Sequence, residues 1–256
     1  MKRLCRGLLG LYLGLTAAFC QAGEYPAVLD WAGRLALGLP VSGVVERVAV
    51  RPGAGVAAGE ELLRLEPEVF EARLAAARAV LREREDDRAE AARELERARE
   101  LYERTVLSDH DLRLAEIGWR RAEAAWRKAR AEQVAAAFEL EHSRLRAPFD
   151  ARVIAVRIQP GQPVVSRDRA EPLLVLARRG RMLARAWLPA RELVGAEPGQ
   201  VVRVRLDGRR YAGTLVTLGL EPDPGAAEPR YALEAEFEVA DEAGLRPGLP
   251  AVLELP

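Results

Sequence analysis

Val41-Ser42-Gly43-Val44-Val45-Glu46-Arg47-Val48-Ala49-Val50-Arg51-Pro52-Gly53-Ala54-Gly55-Val56 is matched further along the chain by Ala151-Arg152-Val153-Ile154-Ala155-Val156-Arg157-Ile158-Gln159-Pro160-Gly161-Gln162-Pro163-Val164. At a constant offset of 108 residues, Val45 aligns with Val153, Val48 with Val156, Val50 with Ile158, Pro52-Gly53 with Pro160-Gly161, and Val56 with Val164. After a three-residue insertion, Leu62-Leu63 and Leu65 align with Leu173-Leu174 and Leu176. Both copies are rich in β-branched residues, alternate with period two, and break at Pro-Gly, so each reads as strands joined by turns. Neither copy has enough apolar surface to fold alone. Facing one another, the two predict a small β-sandwich in which each hairpin buries one side.

The residues between the copies have a different period. Phe70, Leu74, Ala77 and Leu81 recur at 4-3-4 spacing, and the phase resumes at Ala91, Leu95, Ala98 and Tyr102, with Arg84 and Arg88 on the seam between. From Ser108 onward, Leu112, Ala115, Trp119, Ala122, Trp126, Ala129, Gln133, Ala136 and Leu140 alternate spacings of 3 and 4. That is a coiled-coil seam. The short link Thr105-Val106-Leu107 makes the two helices antiparallel neighbours. Ser108 with Asp111 at the third following position predicts a capping box. At ~1.5 Å per residue the arm is ~50 Å long, with Leu107 near its far end. After Ala177 the chain alternates again. Met182–Leu188, Val201–Leu206, Tyr211–Leu218, Tyr231–Val239 and Ala251–Leu255 predict the strands of a small antiparallel barrel. The stretch Ala27–Leu39 predicts one further strand, in the barrel or beside the sandwich.

Composition narrows the chemistry. Acidic and basic residues balance at 39 each, which gives no case for nucleic acid. Only Lys2 and Lys128 are lysines. Cys5 and Cys20 lie at the extreme N-terminus, and His110 and His142 sit at opposite ends of the second helix, too far apart to share a metal. Neither a metal centre nor a catalytic cluster is expected. Lys2, Arg3 and Arg6 precede an uncharged run of 17 residues from Gly7 to Gly23, shorter than the ~20 of a spanning helix. This reads as a secretory leader over residues 1–22, cleaved after Ala22; a retained anchor and a lipidated Cys20 are the alternatives.

With these residues in view, the chain resembles the periplasmic adaptor proteins, or membrane fusion proteins, of tripartite efflux pumps. They are HlyD-like, and the closest group partners transporters of the resistance–nodulation–division type. Val41-Ser42-Gly43-Val44-Val45 and Ala147-Pro148-Phe149-Asp150 resemble the signatures of the two lipoyl halves, and Leu245-Arg246-Pro247-Gly248-Leu249 resembles a late barrel segment. Where the family usually has glycine after Ala-Pro-Phe-Asp, this chain has Ala151. Arg97, Leu101 and Ser108 match the family's Arg-x3-Leu-x6-Ser pattern for docking onto an outer-membrane channel.

The resemblance implies an elongated α+β fold. It consists of a split biotinyl/lipoyl-like β-sandwich, interrupted by an antiparallel coiled-coil hairpin and followed by a small antiparallel β-barrel. The expected organisation is a leader (1–22), an N-terminal strand segment (23–40), lipoyl-like half 1 (41–67), the hairpin (68–142), lipoyl-like half 2 (143–177) and the barrel (178–256). A membrane-proximal domain is expected to be missing or reduced. The implied function is a non-enzymatic periplasmic adaptor on the inner membrane, linking an efflux transporter to an outer-membrane channel for export of small molecules. It would associate with the membrane through its partners, assemble with itself into a ring, and use no cofactor. An adaptor of an ABC-type exporter or type I secretion system is the alternative. A lipoyl or biotinyl carrier subunit is disfavoured, because its chemistry needs a lysine on a hairpin turn and Lys128 lies in mid-helix.

Overall fold

The computed structural model describes residues 23–166, 172–240 and 244–255; the leader assigned to residues 1–22 lies outside the described residues. In chain order the elements are β1 (Glu24–Trp31), β2 (Leu35–Leu37), β3 (Gly43–Val48), β4 (Gly55–Val56), β5 (Glu61–Leu65), α1 (Glu68–Glu103), α2 (Asp109–Glu141), β6 (Arg144–Arg146), β7 (Ala151–Val156), β8 (Pro163–Val164), β9 (Leu174–Arg178), β10 (Arg181–Leu188), a 3-10 turn (Ala190–Glu192), β11 (Val201–Leu206), β12 (Arg209–Pro222), β13 (Tyr231–Glu238) and β14 (Pro250–Glu254). The chain divides into two compact units, one ending at Ala32 and resuming at Gly180, the other Gly33–Arg179.

The unit Gly33–Arg179 holds two four-stranded sheets, ordered β2-β9-β7-β4 and β6-β5-β3-β8. The repeat is visible in them, in a form the sequence alone did not suggest. The two copies do not stack as one hairpin sheet on another. Each sheet takes strands from both, because β4 of the first copy pairs with β7 of the second and β8 of the second pairs with β3 of the first. The registers are equivalent at the 108-residue offset: Val56 opposes Ala151, and Val164 opposes Gly43. Exchange of strands ties the copies together through backbone hydrogen bonds as well as through apolar contact, so neither closes without the other. Val45, Leu62, Leu63 and Leu65 from one copy and Val153, Leu174 and Leu176 from the other form a single buried core. Each such leucine contributes on the order of 1.5–3 kcal/mol by leaving water.

Gly43 and Ala151 are equivalent positions with different surroundings. A Cβ on Gly43 would lie 3.0 Å from Leu65 Cδ1 and 3.4 Å from the Phe70 ring. Phe70, in the first turn of α1, fills the space that glycine leaves and is itself buried in the sandwich core. Ala151 carries its methyl fully buried in β7 with ordinary strand backbone, which is why alanine is tolerated where the family pattern has glycine.

The other unit is a closed six-stranded barrel in the order β1-β10-β13-β12-β11-β14. Leu29, Met182, Leu215, Leu233, Phe237 and Leu253 fill its interior. Asp207 and Gly208, with φ of 46° and 76°, make the two-residue turn between β11 and β12, the geometry that suits right-twisted hairpin strands. The expectation of one strand across Ala27–Leu39 is corrected here. The stretch breaks at Trp31–Gly33, and its two parts join different sheets: β1 closes the barrel between β10 and β14, while β2 pairs with β9 in the sandwich. Gly33, with φ of 57°, provides the change of direction.

Candidate functional site

The hairpin is built by its seam. Phe70, Leu74, Leu95 and Ala98 of α1 and Ala129 of α2 are buried, and the intervening seam positions are half-buried. Small alanines at these places let the helix axes approach closely. The charged seam position Arg88 is accommodated by specific chemistry. Its guanidinium lies over the Trp126 ring at 4.5 Å and pairs with Glu123, which also pairs with Arg127 at 3.0 Å. Burial pushes the Glu123 carboxyl up, but the hydrogen bonds from Arg88 and Arg127 outweigh it and hold the group below its ordinary value. The pairs Arg73–Glu139 (3.1 Å) and Arg88–Glu123 fix which residues of the two helices stand level.

At the far end, α1 stops at Glu103 and Thr105 takes the left-handed conformation, φ 61°, which reverses the chain. The Tyr102 hydroxyl is hydrogen-bonded to Asp109, and that carboxylate raises the phenol above its ordinary value. Ser108 caps α2: its Oγ accepts from the Asp111 amide at 3.2 Å and donates to Asp111 Oδ2 at 2.6 Å. This is half of the expected capping box, because the Asp111 carboxylate binds the serine hydroxyl instead of reaching back to the Ser108 amide.

Between the helices beside this tip lies an open groove of about 450 Å³. Its lining includes Arg97, Leu101, Leu107, Asp111, Leu114 and Gly118. Of the three residues drawn from the sequence pattern, Arg97 and Leu101 share this groove, while Ser108 lies outside it and is engaged in the cap. Arg97 is exposed and only loosely paired with Glu94, at 4.0 Å; Leu101 is half-buried. Three further features were not singled out from the sequence. Val106 stands 71% exposed at the turn and Leu114 is 52% exposed on the groove wall, so the end of the arm presents apolar side chains among its charged ones. Gly118 is a helix-interior glycine whose missing Cβ would meet nothing within 4 Å. An apolar pair in a three-residue turn and a glycine inside a coiled-coil helix were the available signals.

Among the described residues no group of three or more His, Cys, Asp and Glu is placed to hold a metal ion, and no helix is long and apolar enough to cross a membrane. Lys128 is exposed on mid-α2, 3.9 Å from Glu132.

A split lipoyl-like sandwich carrying an antiparallel hairpin, with a six-stranded barrel in the same chain, is the membrane fusion protein fold, the architecture of periplasmic adaptors. Comparison with solved structures agrees. The membrane fusion protein Spr0693 of Streptococcus pneumoniae superposes with a TM-score of 0.69 at 13% identity, covering 91% of this chain and 98% of that one. A MacA–MexA chimera carrying the Pseudomonas aeruginosa MexA α-hairpin superposes at 0.66 with 19% identity, covering 91% and 78%. In sequence the chain is similar to the macrolide export protein MacA of Yersinia pestis, 26% identical over 228 residues. The match covers 82% of this chain and 61% of MacA, so the chain spans about three-fifths of the length of that relative. No protein-family model matches the sequence.

Proposed function

We propose that this chain is a periplasmic adaptor that links an inner-membrane export transporter to an outer-membrane channel, and that it acts by geometry without catalysis. The observation that carries this reading is the hairpin. An arm of about 50 Å is rooted by Phe70 in a sandwich closed by two distant stretches of chain, and it ends in a tip that exposes Val106 and has a groove at its side. An arm with so little to bury against its own chain contributes through what its end touches. Arg97 offers a fork of hydrogen-bond donors, Leu101 and Leu114 offer apolar surface, and Ser108 keeps the first turn of α2 formed beneath them. The likeness to membrane fusion proteins and to a macrolide export protein supports export of small molecules as the task. The leader read over residues 1–22 supports the periplasm as the compartment, with attachment to the inner membrane through the transporter. Several copies would pack as a ring, since a single thin arm encloses no conduit.

A resistance–nodulation–division transporter and an ABC-type exporter or type I secretion system are alternative inner-membrane partners for such an adaptor. The carrier-subunit reading has no support, because Lys128 lies on a helix and not on a turn.

The test is photo-crosslinking in cells from an unnatural residue at Leu101, with the captured protein identified. An outer-membrane channel is the expected product. Capture of only cytoplasmic or inner-membrane proteins would remove the tip assignment.

A further inference from the structure

On the outer wall of the barrel, β1 and β10 run antiparallel with Val28 opposite Arg185, and β13, on the other side of β10, sets Glu234 opposite Arg185 and Ala232 opposite Trp187. Leu29, Ala184 and Ala186 are buried in the interior, so strand alternation turns Val28, Asp30, Arg185 and Trp187 outward together. Trp187 is 40% exposed and Val28 50%. The segment leading into β14 supplies a second wall. The Gly248 amide donates to the Leu29 carbonyl and the Leu29 amide to the Leu249 carbonyl, both at 2.9 Å, which lays Pro247 and Gly248 alongside β1. Trp187, Val28, Pro247 and Gly248 line an open cleft of about 350 Å³, with Asp30 and Arg185 on the same lining.

The charges beside the indole do not cancel. Arg185 pairs with Glu234 at 2.7 Å and with Asp30 at 3.3 Å. Farther along the same wall, Arg181 pairs with Glu236 at 2.7 Å and with Glu238 at 3.2 Å. Two guanidinium groups therefore face four carboxylates. Arg246, the residue before Pro247, is turned onto its own loop, where it donates to the Leu245 carbonyl at 2.7 Å; counting it still leaves a negative surplus. Asp30 and Glu234 are only 25 and 17% exposed, so water screens that surplus incompletely. An exposed indole beside surplus carboxylate is the chemistry that recognises an organic cation. The ring face attracts positive charge, the apolar walls take the body of the molecule, and the carboxylate supplies the counter-charge. An anion of the same shape meets repulsion in place of attraction.

We infer that the cleft between Trp187 and Pro247 binds a free small organic cation with an aromatic or apolar body, its charge set between the Trp187 ring and the Asp30 carboxylate. Val28 is the floor against which the body packs, and Arg185 holds Asp30 in place from the other side. That such a molecule is cargo rests on the export reading proposed above; the site itself does not, since it stands on the barrel wall and uses no residue of the hairpin tip.

The experiment is equilibrium dialysis of the purified full chain against tetraphenylphosphonium and, separately, tetraphenylborate, two ions of the same shape and opposite charge. The phosphonium should bind at least about tenfold more tightly than the borate. Trp187→Ala should weaken the phosphonium about tenfold, with Trp187→Phe intermediate. Asp30→Asn, which keeps an acceptor for the Trp31 amide, should narrow the gap between the two ions. Val28→Lys changes an exposed side chain and places a cation on the floor of the cleft, so it should reverse the preference while circular dichroism shows an unchanged barrel. Equal binding of both ions would overturn the charge assignment. Phosphonium binding that survives both Trp187→Ala and Val28→Lys would place it elsewhere on the chain and overturn the site, as would no binding at all. Pelleting of the chain with phosphatidylcholine vesicles, lost in Trp187→Ala, would show that the cleft takes a lipid headgroup and overturn the assignment to a free molecule. Each of these results leaves the export reading standing, because that reading is tested by capture from Leu101.

Discussion

Val45 and Val153, 108 residues apart, accept equivalent hydrogen bonds from each other's copy of the repeat. The Gly161 amide donates to the Val45 carbonyl, and the Gly53 amide donates to the Val153 carbonyl, each at 2.8 Å. The reciprocal pair is equally matched: the Val45 amide donates to the Gln162 carbonyl at 3.0 Å, and the Val153 amide to the Ala54 carbonyl at 2.9 Å. The sandwich therefore has an internal two-fold relation centred on its Pro-Gly turns, and the hairpin is inserted on one side of it only.

The glycines of these turns have φ of 89° at Gly53 and 82° at Gly161, and no atom lies within 4 Å of where a Cβ would be at either. Substitution costs backbone strain without steric collision. Gly53→Ala and Gly161→Ala should each destabilise the sandwich by about 1–2 kcal/mol, and by similar amounts to each other. Urea unfolding followed by circular dichroism measures this; a strong asymmetry between the two would contradict the equivalence.

Phe70 belongs to α1 in sequence and to the sandwich in packing. Phe70→Ala should cost about 3–5 kcal/mol, with Phe70→Leu much milder. The unfolding midpoint reports both, and a neutral Phe70→Ala would show that the arm is not anchored there.

The hairpin is not needed to close the sandwich. The Leu65 amide donates to the Ser143 carbonyl at 2.9 Å across its base, and β5 pairs directly with β6. Replacing residues 71–141 with a short turn should leave the β signal in circular dichroism and a cooperative unfolding transition. An unfolded product would refute the independence of the sandwich.

Glu123 is held below its ordinary value of 4.5 by two arginines, so its folded-state value lies below its unfolded one. Its contribution to stability is then complete above the unfolded value and is lost as pH falls through the folded one. Glu123→Gln should lower the thermal midpoint at pH 7, and the gap from the parent chain should shrink below about pH 4. A gap that stays constant with pH would mean that the carboxylate charge does not hold Arg88 in the seam.

Gly118 is dispensable for the hairpin's own packing. Gly118→Ala should stabilise α2 by about 0.5–1 kcal/mol, read from thermal unfolding. If the groove receives a partner's backbone closely, the same change should weaken capture from Leu101. Unchanged capture would leave the groove without a role in docking.

Much of this was legible from short-range patterns. The 3-4 spacing of Leu112, Ala115, Trp119 and Ala122 specified a coiled coil because a seam must recur every half-heptad. Ser108 marked the start of α2 because an orphan amide needs an acceptor, and Pro52-Gly53 and Pro160-Gly161 marked turns that require left-handed backbone. Arg97, Leu101 and Ser108 were picked out because they match the family's Arg-x3-Leu-x6-Ser pattern at the turn between the helices. Their division between groove and cap depends on side-chain direction, which spacing does not encode.

The sequence by itself determined the kinds of element, their order and the existence of a repeat. Periodicity follows from which side of an element is buried, and that is written locally. Only the tertiary structure decided which strands are neighbours: that β4 crosses to β7 and β8 to β3, and that the residues on either side of Gly33 join different sheets. Alternation tells a strand which face to bury but not which backbone will satisfy its amides, and that choice is made by long-range hydrogen bonding and a shared core.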